Sequence, residues 1–137
     1  MLLESNRIEF KEKLNDDIEK EVVAFLNYVG GGTIYLGINK KGEVTGVECA
    51  DAVQLKIKDR LKNNITPSCL GLFDIVLEKM NDLPVIKLIV ASGQERPYYV
   101  KKYGMSEKGV FVRKGSASEP MSASLIESLF AKRTRHS

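Results

Sequence analysis

Along the chain the apolar positions change period several times, and each change marks an element. "RIEFKE" alternates Ile8 and Phe10 with Arg7, Glu9 and Lys11, the two-residue period of a half-buried strand with Glu9 and Lys11 together on its polar face. In "NDDIEKEVVAFLNYVGGG" the period becomes helical. Ile18, Val22, Phe25, Leu26 and Val29 form the stripe, Asn15 or Asp16 is the cap, and Gly30, Gly31 and Gly32 are the stop. "TIYLGI" is an unbroken β-rich run suited to a central strand, and "NKKGEVTGV" returns through a turn as a hairpin. "DAVQLKIKDRLKNNITP" predicts a second helix capped by Asp51, with Val53, Ile57 and Leu61 inward. Strands follow in "LFDIVLEK", "PVIKLIVA", "PYYVKK" and "GVFVRKG", then a last helix from Ser124 through Phe130, where Ser124 and Glu127 have capping-box spacing. This order predicts an α/β (α+β) fold: a mixed sheet of about six to seven strands with three helices packed on it in two layers. No repeat or linker interrupts it, so residues 1–131 read as one domain and 132–137 as a basic C-terminal tail.

Composition narrows the function. The chain has 137 residues, 43% hydrophobic and 28% charged, as in an ordinary single globular domain. No apolar run is long enough to span a membrane and no signal core opens the chain, so the expected location is the cytoplasm. Cys49 and Cys69 lack metal spacing and His136 is the single histidine, which argues against a zinc site and a histidine-based triad. "GGGTIYLG" leads from helix into strand, the reverse of a phosphate-binding loop, and no G-x-x-x-x-G-K-[ST] occurs, so a P-loop ATPase is not supported.

Two features carry candidate chemistry. The first is the pair Glu4 and Glu9. Five positions apart, they point to opposite faces of an unbroken strand and lie about 140° apart on a helix, so they converge only if the chain bends at Ser5 and Asn6 and regular strand begins after Asn6. Otherwise they are solvated polar positions, with Glu9 paired to a neighbouring cation. The second is "ERPYYVKKYGMSEKGVFVRKGS", where Arg96, Lys101, Lys102, Lys108, Arg113 and Lys114 interleave with Tyr98, Tyr99, Tyr103 and Phe111. Cations contact phosphates and aromatic rings stack on bases. Lys11, Lys40 and Lys41 join this surface if the first strands lie beside it, and Lys56 to Lys62 make another basic face. The net charge of +3 permits a polyanion partner without requiring one.

The combination of "ESNRIEFKEKL", "VVAFLNYVGGGTIYLGINKKGEVTGV" and "GVFVRKGSASEPMS" resembles the Schlafen-type AlbA domain over nearly the whole chain, from Glu4 to about Phe130. The resemblance implies the DNA-binding domain of a bacterial transcriptional regulator. Some relatives of that type are metal-dependent endoribonucleases, using the two glutamates of E-S-x-x-x-E-F-K and an aspartate just after the G-[IV] strand end. Glu4 and Glu9 match the glutamates, whereas Asn39, Lys40 and Lys41 stand where the aspartate falls. Two glutamates alone remain a ligand set for Mg²⁺ or Mn²⁺, which Lys40 and Lys41 oppose if they lie close.

Three readings follow. The favoured one is a non-catalytic domain that contacts the phosphates of DNA or RNA through Lys11, Lys40, Lys41, Arg96, Lys101, Lys102, Arg113 and Lys114, without a certain cofactor. The second is a metal-dependent RNase with Glu4 and Glu9 as catalytic and metal-binding residues and Asp51, Asp74 or another acid that the spacing does not place as third ligand. The third is a protein-interaction or dimerisation module. A homodimer, or further domains in a longer natural chain, is compatible with each.

Overall fold

The computed structural model describes residues 2–136. It shows an α+β fold with eight strands and three α-helices, the strands divided among three sheets. The main sheet has the order β1 (Ile8–Lys11), β2 (Gly32–Leu36), β5 (Leu83–Val90), β4 (Phe73–Met80). β1 and β2 are parallel and the other two pairs antiparallel, so the sheet is mixed. The remaining strands form two short ribbons, β3 (Ile65–Thr66) with β6 (Tyr99–Val100) and β7 (Phe111–Lys114) with β8 (Ala117–Pro120). The single sheet of six to seven strands is thus replaced by one of four. "PYYVKK" keeps only two residues of strand before a 3-10 turn at Lys101–Tyr103. The expected hairpin after β2 is reduced to one bridge, Ile38 to Val44.

α1 (Ile18–Leu26) and α2 (Ala50–Asn64) cover one face of the sheet. Ile18, Val22, Phe25 and Leu26 pack with Ile57 and Leu61 against Ile34, Leu36, Ile86, Leu88 and Val90, and all are buried. Each such side chain contributes roughly 1.5–3 kcal/mol by leaving water. Val29 does not join the stripe. α1 ends at Leu26, four residues before the glycines, and leaves Val29 80% exposed. The side chain of Asn27, the next residue, donates to the carbonyls of Tyr98 and Phe111 at 3.0 and 2.9 Å and accepts from the Tyr98 N–H at 2.8 Å, tying α1 to β6 and β7. Gly32 is required by packing, since a Cβ there would lie 2.2 Å from the Phe25 ring.

Three caps differ from expectation. α1 begins after Asp17, whose N–H is accepted by Asn15 Oδ1. α2 begins after Cys49, in left-handed conformation, with Asp51 inside the first turn. α3 (Ala123–His136) is capped by Ser122, whose Oγ accepts from the Leu125 N–H at 3.3 Å. The domain boundary expected at residue 131 falls inside α3. This helix packs through Ile126 on Val110 and Met121, beside the β7–β8 ribbon, and forms a small core of its own.

Candidate functional site

The register of β1 decides where the motif carboxylates go. Glu9 is opposite Ile34 and Lys11 opposite Leu36, and partners in register share a face. Ile34 and Leu36 belong to the helix-covered core, so Glu9 and Lys11 point into it as well, and Ile8 and Phe10 pack on the reverse face with Ile38, Val85 and Tyr35. The polar face read from the alternation is therefore the covered one, and Glu9 is only 4% exposed.

The chain bends where convergence of the two acids requires it. Ser5 and Ile8 exchange backbone hydrogen bonds across a turn at Asn6 and Arg7, and the Ser5 hydroxyl accepts from the Arg7 N–H. Arg113, from β7, braces this bend: its Nη2 donates to the carbonyls of Ser5 and Ile8 at 2.6 and 3.3 Å. Its Nη1 donates to Glu9 Oε1 at 2.8 Å and Ser118 Oγ at 3.1 Å, and the guanidinium lies over the Phe25 ring, 4.7 Å from its centroid. Arg113 Nε is buried without a partner. Beyond the bend, Glu4 Oε2 turns back to accept the Phe10 N–H at 3.0 Å.

What the two carboxylates converge on is Lys40. Its Nζ donates to Glu4 Oε2 at 2.7 Å and also to Glu9 Oε2. Asn39, where the related nucleases carry their third acid, builds the turn that presents Lys40. Its Oδ1 accepts the N–H groups of Lys41 and Glu43 at 3.0 and 2.9 Å, and its side-chain amide donates to Glu43 at 2.9 Å. Burial alone would raise the Glu4 pKa, but hydrogen bonds from Lys40 and the Phe10 N–H outweigh it and hold the group below its ordinary value. Burial likewise works to lower the Lys40 pKa, and the two carboxylates outweigh it, keeping the ammonium charged to higher pH than usual.

These donors do not fit a divalent cation. A metal bound between Glu4 and Glu9 would lie against the ammonium of Lys40 and the Arg113 guanidinium, and no group of three His, Cys, Asp or Glu that could hold a metal occurs among the described residues. Asp74 lies on β4, three strand positions from Glu9 or roughly 14 Å across the sheet, and Asp51 is exposed in the first turn of α2.

The cations expected to contact phosphate separate into two kinds. Arg113 has no exposed side-chain surface, and Lys11 is nearly enclosed between Glu21, at 2.8 Å, and Glu9, at 3.9 Å, so both are turned away from any partner. Lys40 is spent on the glutamates. Lys41, Lys101, Lys102 and Lys114 are exposed, and Arg96 is half-buried. Lys41 and Lys114 adjoin Lys40 and Arg113 in the chain. Lys102 and Lys108 instead line a groove with Lys20, Lys56 and Arg60. Lys20 carried no signal in the sequence beyond being a charge in the first turn of a helix. Arg60 Nε and Nη2 donate to Glu19 at 2.9 and 2.5 Å, and Asn64 adds a third bond to the same carboxylate. Burial works to raise Glu19, and these partners outweigh it and lower its pKa. Among the described residues, no helix is long and apolar enough to cross a membrane.

This fold and motif define a known domain class: residues 4–122 match the model of the family described as Schlafen, AlbA_2, and the chain belongs to that family. A comparison with curated proteins finds no match. Among solved structures, the DIP2311 protein from Corynebacterium diphtheriae is similar with a TM-score of 0.66 and 20% identity over 90% of this chain. This chain spans 23% of the length of that protein. The N-terminal domain of a Nitrosomonas europaea protein, described as ATP-dependent DNA helicase RecG-related, is similar with a TM-score of 0.62 and 23% identity, covering 89% of this chain and 83% of the other. At these identities the likeness is one of fold.

Proposed function

We propose that this domain binds nucleic acid without cutting it, contacting phosphates through exposed lysines as the DNA- or RNA-binding part of a cytoplasmic transcriptional regulator. The observation that carries the non-catalytic half is Lys40. A nuclease of the related type needs its two glutamates free to hold a metal, and here one ammonium bonds to both while Arg113 holds the second oxygen of Glu9. The binding half is supported by family membership and by exposed Lys41, Lys101, Lys102 and Lys114, which carry sequence-independent phosphate contacts. The metal-dependent RNase reading draws support from the convergence of Glu4 and Glu9 alone and lacks a place for the cation.

The test is a titration of labelled transfer RNA and duplex DNA across salt. Displacement of counterions makes phosphate binding fall steeply with salt, by roughly 0.7–0.9 log units of affinity per log unit of salt for each phosphate neutralised. Binding of this kind, weakened by Lys102→Ala and Lys114→Ala, is the expected result. Affinity for neither polymer at low salt would overturn the proposal and leave the interaction module.

A further inference from the structure

Away from the glutamate centre, a groove of about 1010 Å³ opens between the first turn of α1, the outer side of α2 and the segment joining β6 to β7. Pockets of about 300–1,000 Å³ enclose single small molecules, so this groove has room for the bases and sugars of a few nucleotides of unpaired strand. A duplex, by contrast, keeps its bases stacked within and offers such a groove only its outer backbone.

The lining suits an unpaired strand. Tyr103 ends the 3-10 turn and is 51% exposed, and the Lys102 ammonium sits 4.9 Å from the centroid of its ring. A ring and a cation so placed offer a stacking platform beside a phosphate contact. Opposite, Lys20 lies over the Phe111 ring at 5.4 Å. Lys20, Lys56, Lys102 and Lys108 take part in none of the ion pairs among the described residues, unlike Arg60, whose charge is spent on Glu19. The groove also contains Asp16, Asp17 and Glu107. These acids oppose a continuous phosphate track, but carboxylates accept hydrogen bonds from the exocyclic amines of bases, and such edges are open when the strand is unpaired.

We propose that this groove takes an unpaired segment of nucleic acid, with a base stacked on Tyr103, phosphates on Lys102 and Lys108, and base edges toward Asp16 and Asp17, just before α1. This rests on the reading of the domain as a nucleic-acid binder and names the form of polymer it prefers.

The experiment is fluorescence anisotropy with a fluorescein-labelled mixed-sequence 12-mer, single-stranded or annealed to its complement, at one physiological salt concentration. The single strand should bind about tenfold more tightly than the duplex. Tyr103→Ala should weaken the single strand about tenfold and the duplex less than twofold, Tyr103→Phe should bind as wild type, and Lys79→Ala on β4 should change neither. Thermal melting of each variant controls for folding. Equal or tighter duplex binding, or a Tyr103→Ala variant that binds the single strand as wild type does, overturns this inference and leaves the broader reading standing. Binding of neither form overturns this inference, and the broader reading falls with it when neither form binds at low salt either.

Discussion

Replacing Lys40 with alanine tests what holds the glutamate centre together. The substitution removes two hydrogen bonds and one positive charge from Glu4 and Glu9, while Arg113 and Lys11 stay on Glu9. Breaking a fully buried ion pair costs about 3–5 kcal/mol, and an exposed one contributes about 0–1 kcal/mol. Lys40 lies between these limits, because its side chain is 62% exposed and water can replace the ammonium at Glu4, yet Glu9 is enclosed. The expected loss is about 1–2 kcal/mol, or roughly 3–6 °C in Tm for a chain of this size. Arg113→Met should cost more, about 3–5 kcal/mol, since it strips the enclosed Glu9 Oε1 of its charged donor and removes the guanidinium bonds to the carbonyls of Ser5 and Ile8, leaving these only each other's backbone N–H groups. Urea denaturation of both variants gives the comparison, and a double-mutant cycle with Glu4→Gln isolates the Lys40–Glu4 coupling. Adding Mn²⁺ supplies a second readout: a cation that binds the vacated carboxylates raises the melting temperature of Lys40→Ala and leaves wild type unmoved. A Lys40→Ala variant as stable as wild type within about 0.3 kcal/mol, or wild type stabilised by Mn²⁺ as strongly as the variant, would refute the reasoning.

Two further outcomes follow from the same contacts. The stability that Lys40 supplies should be flat from about pH 5 to 10. Glu4 titrates below its ordinary 4.5 in the folded protein, so its share is lost as pH falls through that lowered value, and Lys40 titrates above its ordinary 10.5, so its share is lost as pH rises through that raised one. The difference in unfolding free energy between wild type and Lys40→Ala, measured across pH, should shrink at both ends. Asn27→Ala should cost about 2–4 kcal/mol in urea denaturation, because it leaves the buried N–H and C=O of Tyr98 and the Phe111 carbonyl without their partner.

Much of the main sheet and two of its helices were legible in local periodicity. The alternation around Ile8 and Phe10, the stripe from Ile18 to Leu26 and the apolar run of "TIYLGI" each describe a segment whose neighbours in space impose the period seen in the chain. The bend at Ser5 and Asn6 was also legible, as the condition under which Glu4 and Glu9 meet. What the pattern concealed was long-range. Alternation says that Glu9 and Lys11 share a face, but that this face is interior depends on Arg113, 104 residues away, and on Glu21 across the layer. Charged residues that satisfy one another in a core look in sequence like charges facing water. β8 was missed because "ASEP" has neither apolar character nor alternation, and it exists by pairing with β7. The cation between the glutamates was readable only as a proximity to be tested, since Lys40 reaches them through the turn that Asn39 builds.

The most direct test of the closed glutamate centre is to incubate the wild-type protein with end-labelled structured RNA in Mn²⁺, beside a sample with chelator, and to resolve the products on a sequencing gel. Intact RNA in both samples, at protein concentrations that retard it fully in a mobility shift, is the expected result. Mn²⁺-dependent fragments that disappear in Glu4→Gln and Glu9→Gln would show that Lys40 yields its place to a metal and that the domain is a nuclease.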